Sequence, residues 1–113
     1  MAVEKPIPPF SMRIQQAGDT LVVLVSGELD HSQAKVFEVE LREALTGEAS
    51  VVLLDLSRVE VIDSTRLRAL AIASEEARSE GDKLRVRRSL SPAVERSLAL
   101  TGLTDWLPWV LST

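Results

Sequence analysis

The segment VVLLDLSRVEVIDSTRLRAL, residues 51–70, determines the fold that we expect for this chain. Its first six residues, 51–56, form an apolar run rich in β-branched side chains, which predicts a buried strand. The more polar stretch from Ser57 to Ile62 predicts a loop. The segment therefore begins as one strand of a sheet and then leaves the sheet.

Asp63, Ser64 and Thr65 follow this loop, and they are residue types that commonly start helices. Apolar and small residues then recur at spacings of three and four, as on the buried face of an amphipathic helix. The residues of this face are Leu67, Leu70, Ala71, Ser74 and Ala77. We expect the helix to end at Gly81. A strand followed by a helix is the repeating unit of α/β folds.

The beginning of the chain predicts a leader and a hairpin. Residues 1–10 hold three of the five prolines and predict an extended N-terminal leader, which leaves a single domain over residues 11–113. Residues 12–16 alternate apolar and polar side chains, and residues 21–25 form a continuous apolar run, so both predict strands. The turn signal Gly18-Asp19 lies between them and predicts a tight connection.

A first helix is expected after this hairpin. We expect it to begin near Asp30 to Ser32, because Asp30 and Gln33 have the pattern of a capping box. Its predicted buried face contains Ala34, Phe37, Leu41 and Leu45. Gly47 is expected to end it.

The last third of the chain predicts a strand, a helix and a short tail. Residues 84–87 alternate as a strand near a sheet edge, and Ser91 with Pro92 is typical of a helix start. Gly102 predicts the end of that helix, and residues 106–111 predict a final short strand. The predicted inner face of the helix contains Val94, Leu98 and Thr101. This order of elements favours a largely parallel or mixed sheet with helices packed on it.

Composition narrows the functional classes. The net charge of −4, from 13 basic and 17 acidic residues, argues against a nucleic-acid partner. The basic stretch from Lys83 to Arg88 is interpreted as a solvated sheet edge. The chain has no cysteine and no apolar segment of membrane-spanning length, so we expect a cytoplasmic protein without membrane insertion.

Residue patterns typical of enzymes are absent from the sequence. His31 is the only histidine, and its position beside a helix start favours an exposed turn residue over a metal ligand or a catalytic base. No nucleophile elbow, Walker A loop or dinucleotide-binding fingerprint occurs. The sequence therefore predicts a non-enzymatic protein without a cofactor.

The start of the second helix is the remaining candidate site. In α/β folds, ligands and partners bind at the carboxyl ends of strands, and a helix N-terminus there offers free N–H groups. A hydroxyl group at this position can accept a phosphate, which changes the local charge by about −2. On spacing alone, a simple helix cap is the preferred explanation of Asp63, Ser64 and Thr65.

Four features together resemble the STAS-domain family, which includes the anti-sigma factor antagonists. The four are Gly27-Glu28-Leu29-Asp30, the strand from Val51 to Leu54 running into Asp55-Leu56-Ser57 and Val61-Ile62-Asp63-Ser64, Ser91-Pro92-Ala93-Val94, and Leu100-Thr101-Gly102-Leu103. The resemblance extends from about Met12 to Val110. It implies an α/β fold with a mixed sheet of four to five strands and three or more helices packed mainly on one face.

The resemblance also implies a function and a phosphoacceptor. Antagonists of this family bind an anti-sigma factor that is a histidine-kinase-like serine/threonine kinase; phosphorylation releases them, and a phosphatase restores binding. Thr65 matches the phosphoacceptor, with Ser64 as the alternative. The implied partner-binding residues are Asp30, His31, Asp63, Ser64, Arg66 and Arg68. The family commonly has glycine where this chain has Arg66, which would either obstruct the kinase or pair with a phosphate on Thr65.

Other functions of the same family remain open. The chain is alternatively a non-phosphorylated STAS partner subunit of an ABC-type lipid transport complex, or a nucleotide-binding or sensory STAS module. Many relatives carry a further helix after the last strand, whereas here Trp106 and Trp109 occur in the tail and are expected to pack in the core or at an edge. The sequence leaves open whether the chain forms a homodimer.

Overall fold

The described part of the chain, residues 9–29, 33–79 and 81–110 of a computed structural model, alternates strands and helices after an initial hairpin. The elements are β1 (Ser11–Ala17), β2 (Thr20–Leu29), α1 (Ala34–Thr46), β3 (Val51–Ile62), α2 (Ser64–Ser79), β4 (Leu84–Arg87), α3 (Pro92–Thr101) and β5 (Trp109–Val110). A short 3₁₀ helix, Thr104–Trp106, precedes β5.

The five strands form one sheet in the order β1-β2-β3-β4-β5. β1 is antiparallel to β2, and the other neighbouring strands are parallel. Gly18, with a φ angle of 62°, allows the tight turn between β1 and β2. The sheet is therefore mixed, as predicted.

One face of the sheet is buried by the helices. Val23, Leu54 and Val86 lie in one row across β2, β3 and β4, and all three are fully buried. They belong to the same apolar core as Leu67 of α2 and Leu98 of α3. Each such side chain stabilises the fold by about 1.5–3 kcal/mol. The helices thus pack on a common face, which confirms the expected fold class.

The largest correction concerns residues 57–62, which we predicted as a loop. They continue β3 beside a longer β2, and Leu29 pairs with Ile62 at the far end. The register between the strands shifts twice, between Leu24 and Ser26 and between Gly27 and Glu28. These irregularities hide the two-residue period, so the polar residues of the stretch resemble a loop. The two strands therefore end side by side.

The first helix begins later than predicted. α1 starts at Ala34 with Gln33 at the N-cap, and Gln33 makes no side-chain cap hydrogen bond. Asp30 and Ser32 lie outside the described residues, as does the side chain of Ala34. Phe37 and Leu41 are buried as predicted, Leu45 is partly buried, and Gly47 occupies the C-cap.

The third helix has the predicted ends. The Ser91 hydroxyl accepts a hydrogen bond from the Val94 backbone N–H at 3.3 Å, and Pro92 is the first helical residue. Gly102 adopts the left-handed conformation, with φ 71°, and its N–H donates to the Leu98 carbonyl.

The expected position of β4 near an edge is confirmed, because within the described residues only the two-residue strand β5 pairs with its outer side. The basic stretch is therefore not itself the edge strand, and its arginines are not free in solvent. Its arginines 85, 87 and 88 each form an ion pair with an acidic side chain, although the pairs of Arg85 and Arg88 are largely exposed. The Arg88 guanidinium also lies 4.5 Å from the Trp109 ring centre, so these charges stabilise the edge of the fold.

The two tryptophans differ in their surroundings. The Trp109 indole N–H donates to the Thr104 carbonyl at 2.7 Å, and the ring packs against the core as predicted. Trp106 is 55% exposed, which contradicts the expected packing in the core or at an edge. The 3₁₀ helix ends at Trp106 and directs its side chain to the surface.

Candidate partner-binding site

Asp63 connects the end of β3 to the start of α2. Its Oδ1 atom accepts a hydrogen bond from the Arg66 backbone N–H at 2.9 Å, and its backbone carbonyl accepts from the Leu67 N–H at 3.1 Å. This is the geometry of an N-cap residue, which satisfies N–H groups that have no partner within the helix. The predicted helix start is confirmed, and Asp63 is its cap.

Arg66 folds back onto Asp63. Its Nη1 atom donates to Asp63 Oδ2 at 2.9 Å, so one carboxylate binds both the backbone and the side chain of Arg66. The Arg66 side chain is only 11% exposed, whereas that of Asp63 is 44% exposed. The guanidinium of Arg66 is therefore held by the capping carboxylate of Asp63 and lies mostly out of solvent. This geometry gives Arg66 a local role that neither sequence alternative, obstruction or phosphate pairing, anticipated.

Ser64 and Thr65 are the first two residues of α2, and both are exposed. Within the described part of the chain, neither hydroxyl group makes a hydrogen bond. Their position at a helix N-terminus places them in a region of partial positive charge. Both hydroxyl groups are therefore accessible to a partner protein.

Arg68 extends this surface. It follows Thr65 by three residues, so both side chains lie on the same side of α2, and Arg68 is exposed. It forms no ion pair with any residue that the structure describes. The helix start thus presents two hydroxyl groups and one accessible cation to solvent.

Asp30 and His31 lie outside the described residues, and their part in the site remains a prediction. The strand before them and the strand before Asp63 end together, since Leu29 pairs with Ile62. The chain therefore leaves β2 and β3 at the same end of the sheet, where their carboxyl ends lie side by side.

Sequence reasoning missed an ion pair on the face of the sheet opposite to the one that the helices cover. Asp55 Oδ2 accepts a hydrogen bond from Arg87 Nη1 at 2.8 Å, and Asp55 Oδ1 accepts from the Ser57 N–H at 2.9 Å. The Asp55 side chain is 6% exposed and that of Arg87 is 34% exposed. An aspartate inside a buried apolar run was the available signal, because a buried charge requires a partner.

The structure describes two further properties relevant to function. Among residues 9–29, 33–79 and 81–110, no three histidine or acidic side chains come together as they would around a metal ion. Within the same ranges, no helix combines the length and apolar character needed to cross a membrane.

A groove of about 540 Å³ separates α1 from α2, away from the cap. Phe37, Leu41, Ala69 and Ala73 give it apolar walls, while Glu38, Arg42 and Glu76 bring charges of both signs. The groove extends toward Gly47, at the end of α1, whereas Ser64 and Thr65 lie at the beginning of α2. It is therefore separate from the candidate site.

We expect Asp63→Ala to lower the free energy of unfolding by about 1–2 kcal/mol, because α2 loses its cap and Arg66 loses its partner. Asp63→Asn retains a cap acceptor and removes only the charge, so its loss should be about half as large. Urea unfolding followed by circular dichroism measures both. Equal losses for the two variants would show that the ion pair, and not the cap, supplies the stability.

Comparison with known proteins supports the fold and identifies the family. Residues 12–111 match the model of the family described as "Mlab, STAS domain". An anti-sigma factor antagonist from Mycobacterium paratuberculosis is 27% identical, with a TM-score of 0.79 over 92% of this chain and 87% of that one. A putative anti-sigma factor antagonist from Thermotoga maritima is 26% identical, with a TM-score of 0.71 over 89% and 86%.

A more distant similarity concerns the fold alone. The phosphorylated form of SpoIIAA, a cell fate determinant of Bacillus, is 17% identical to this chain, with a TM-score of 0.64. The similarity covers 90% of this chain and 93% of that one. The same arrangement of strands and helices is therefore shared at low sequence identity.

Proposed function

The chain belongs to the STAS-domain family, and on this premise we propose that it is an anti-sigma factor antagonist regulated by phosphorylation at Thr65. It binds a kinase-type anti-sigma factor through the start of α2. Phosphate on Thr65 ends this binding, and a phosphatase restores it. A cytoplasmic location is part of the same proposal.

The similar structures support the class of partner. The relatives from Mycobacterium paratuberculosis and Thermotoga maritima are described as an antagonist and a putative antagonist of anti-sigma factors. The chain covers 87% and 86% of those two chains, so the likeness extends over nearly whole domains.

The single observation that carries the proposal is that Thr65 is exposed while the side chain of its neighbour Arg66 is held in an ion pair with Asp63. A kinase must reach the hydroxyl group, and the Asp63–Arg66 ion pair keeps the long Arg66 side chain away from solvent. A phosphate on Thr65 would lie near the free N–H groups of the first helical turn, which favour negative charge. The helix therefore tolerates the modification while the partner surface changes.

The electrostatic consequence explains release. Unmodified, the site presents the cation of Arg68 beside neutral hydroxyl groups, which suits an acidic or polar patch on the partner. Phosphorylation adds about −1.5 to −2 charge within one helical turn of Arg68. The added charge turns an attractive surface into one that repels an acidic patch.

The test is to incubate the chain with ATP and the histidine-kinase-like anti-sigma factors of its own genome, and to map phosphate by mass spectrometry. We expect phosphate on Thr65, and no phosphate on Thr65→Val under the same conditions. Ser64→Ala is the matched control and should be phosphorylated like the wild type. Phosphate on neither Ser64 nor Thr65 would contradict the proposal, and stable co-purification with a transport ATPase would favour the lipid-transport alternative.

A further inference from the structure

The outer side of β1 is an edge of the sheet. β1 pairs with β2 over seven residues without a register shift, and it is the first strand in the sheet order. Within the described residues, no strand pairs with its other side. Proteins usually protect such an edge with proline, a bulge or several charges. Residues 11–17 contain no proline, no bulge and one charged side chain, that of Arg13.

One exposed apolar side chain lies on this edge strand, and a second lies on α1. Ile14 pairs with the buried Val23, so it lies on the face that the helices cover, yet it is 45% exposed. Val36 of α1 is 51% exposed. It precedes Leu45, which lines the groove toward α2, by nine residues, and nine residues are two and a half turns of an α-helix, so the two side chains lie on opposite sides of α1. Val36 therefore lies on the side of α1 that faces away from α2.

We propose that a second copy of the chain pairs with this edge, β1 antiparallel to β1, with the two-fold axis passing through Ile14. The two sheets then form one continuous sheet. The unpaired N–H and C=O groups of each β1 strand form hydrogen bonds with those of the other copy. Seven paired residues supply about six to eight hydrogen bonds between strands. Such an interface is self-complementary, as the symmetry of a homodimer requires.

The sequence of β1 selects this register. An axis at Ile14 pairs Ile14 with its copy, Arg13 with Gln15, and Met12 with Gln16, and it uses all seven residues. An axis at Arg13 would place the two arginines directly opposite each other, and like charges in that position are destabilising. An axis at Gln15 would shorten the pairing and leave Ile14 opposite Gln16. The register centred on Ile14 is therefore the one that uses all seven residues and places no like charges opposite each other.

This pairing does not depend on the proposed phosphorylation. β1 lies at one end of the sheet, whereas α2 packs against β4, near the other end. Thr65 remains exposed in such a dimer. Failure of the dimer would leave the role of Thr65 untouched, and failure of phosphorylation would leave the dimer untouched.

The first test is sedimentation velocity over a range of concentrations from micromolar to millimolar. We expect a concentration-dependent monomer–dimer equilibrium that Ile14→Lys shifts toward monomer by about tenfold or more, because two lysines would meet at the axis. Ile72→Lys is the matched control: Ile72 is also exposed, at 55%, but lies on α2, and its variant should dimerise like the wild type. A wild-type chain that stays monomeric over this range overturns the proposal.

A second test identifies the register. Gln15→Glu places a carboxylate opposite Arg13 of the other copy, so we expect dimerisation to strengthen by about two- to tenfold. Gln16→Glu adds the same charge one residue further along, opposite Met12, and should not strengthen it. If Gln15→Glu weakens the dimer, or if both variants act alike, the register centred on Ile14 is wrong.

Discussion

Replacing Arg87 with methionine is expected to lower the free energy of unfolding by about 3 kcal/mol. The Asp55 side chain is 6% exposed, and Arg87 is the cation that balances it. Removing one partner of a buried ion pair leaves the other charge without compensation, which typically costs about 3–5 kcal/mol. The lower value is expected because Arg87 itself is 34% exposed and Asp55 retains its hydrogen bond from Ser57.

Arg85→Met is the matched control for this measurement. Arg85 belongs to the same short strand and is 36% exposed, but its partner Asp82 is exposed, so we expect a loss of about 0.5 kcal/mol. The double variant Asp55→Asn with Arg87→Met removes both charges and should recover most of the stability. Urea unfolding of the wild type and of these three variants gives the comparison. Equal losses for Arg87→Met and Arg85→Met would contradict the role assigned to the pair.

The ion pair also shows where sequence reasoning fails. The apolar run of residues 51–56 predicts a strand, but nothing in the run indicates which side chain balances Asp55. In the structure, Leu54 pairs with Val86, so the next residue on each strand, Asp55 and Arg87, become neighbours. A contact between residues 32 positions apart depends on the register of two parallel strands, and that register is not encoded in local spacing.

Local signals were more reliable at helix ends than at strand ends. Asp63, Ser91 and Gly102 have the predicted capping roles because cap geometry depends on a few adjacent residues. The continuation of β3 through residues 57–62 depends on its distant partner β2 and on two register shifts, so it was predicted as a loop. Arg66 lies between these cases: its cap position was predictable, but its side-chain ion pair with Asp63 was not.

We expect Thr65→Glu to weaken binding to the anti-sigma factor by about 30- to 100-fold, which corresponds to about 2–3 kcal/mol. The new carboxylate lies within one helical turn of Arg68 and would oppose the acidic or polar patch that the proposed function assigns to the partner. A negative charge in the first turn of a helix is stabilising by a few tenths of a kcal/mol or more. The variant should therefore unfold at the same urea concentration as the wild type, or a higher one.

Thr65→Glu is expected to weaken binding without lowering the stability of the fold. Measuring both quantities therefore distinguishes a loss of recognition from a loss of folding. Thr46→Glu is the matched control: it makes the same substitution at an exposed threonine, but at the end of α1, on the opposite side of the fold from the start of α2. It should bind the anti-sigma factor like the wild type while losing some stability, because a negative charge is unfavourable at a helix C-terminus. Isothermal titration calorimetry and urea unfolding of both variants give the comparison. Unchanged binding by Thr65→Glu would show that α2 begins with a structural cap and that the partner binds elsewhere.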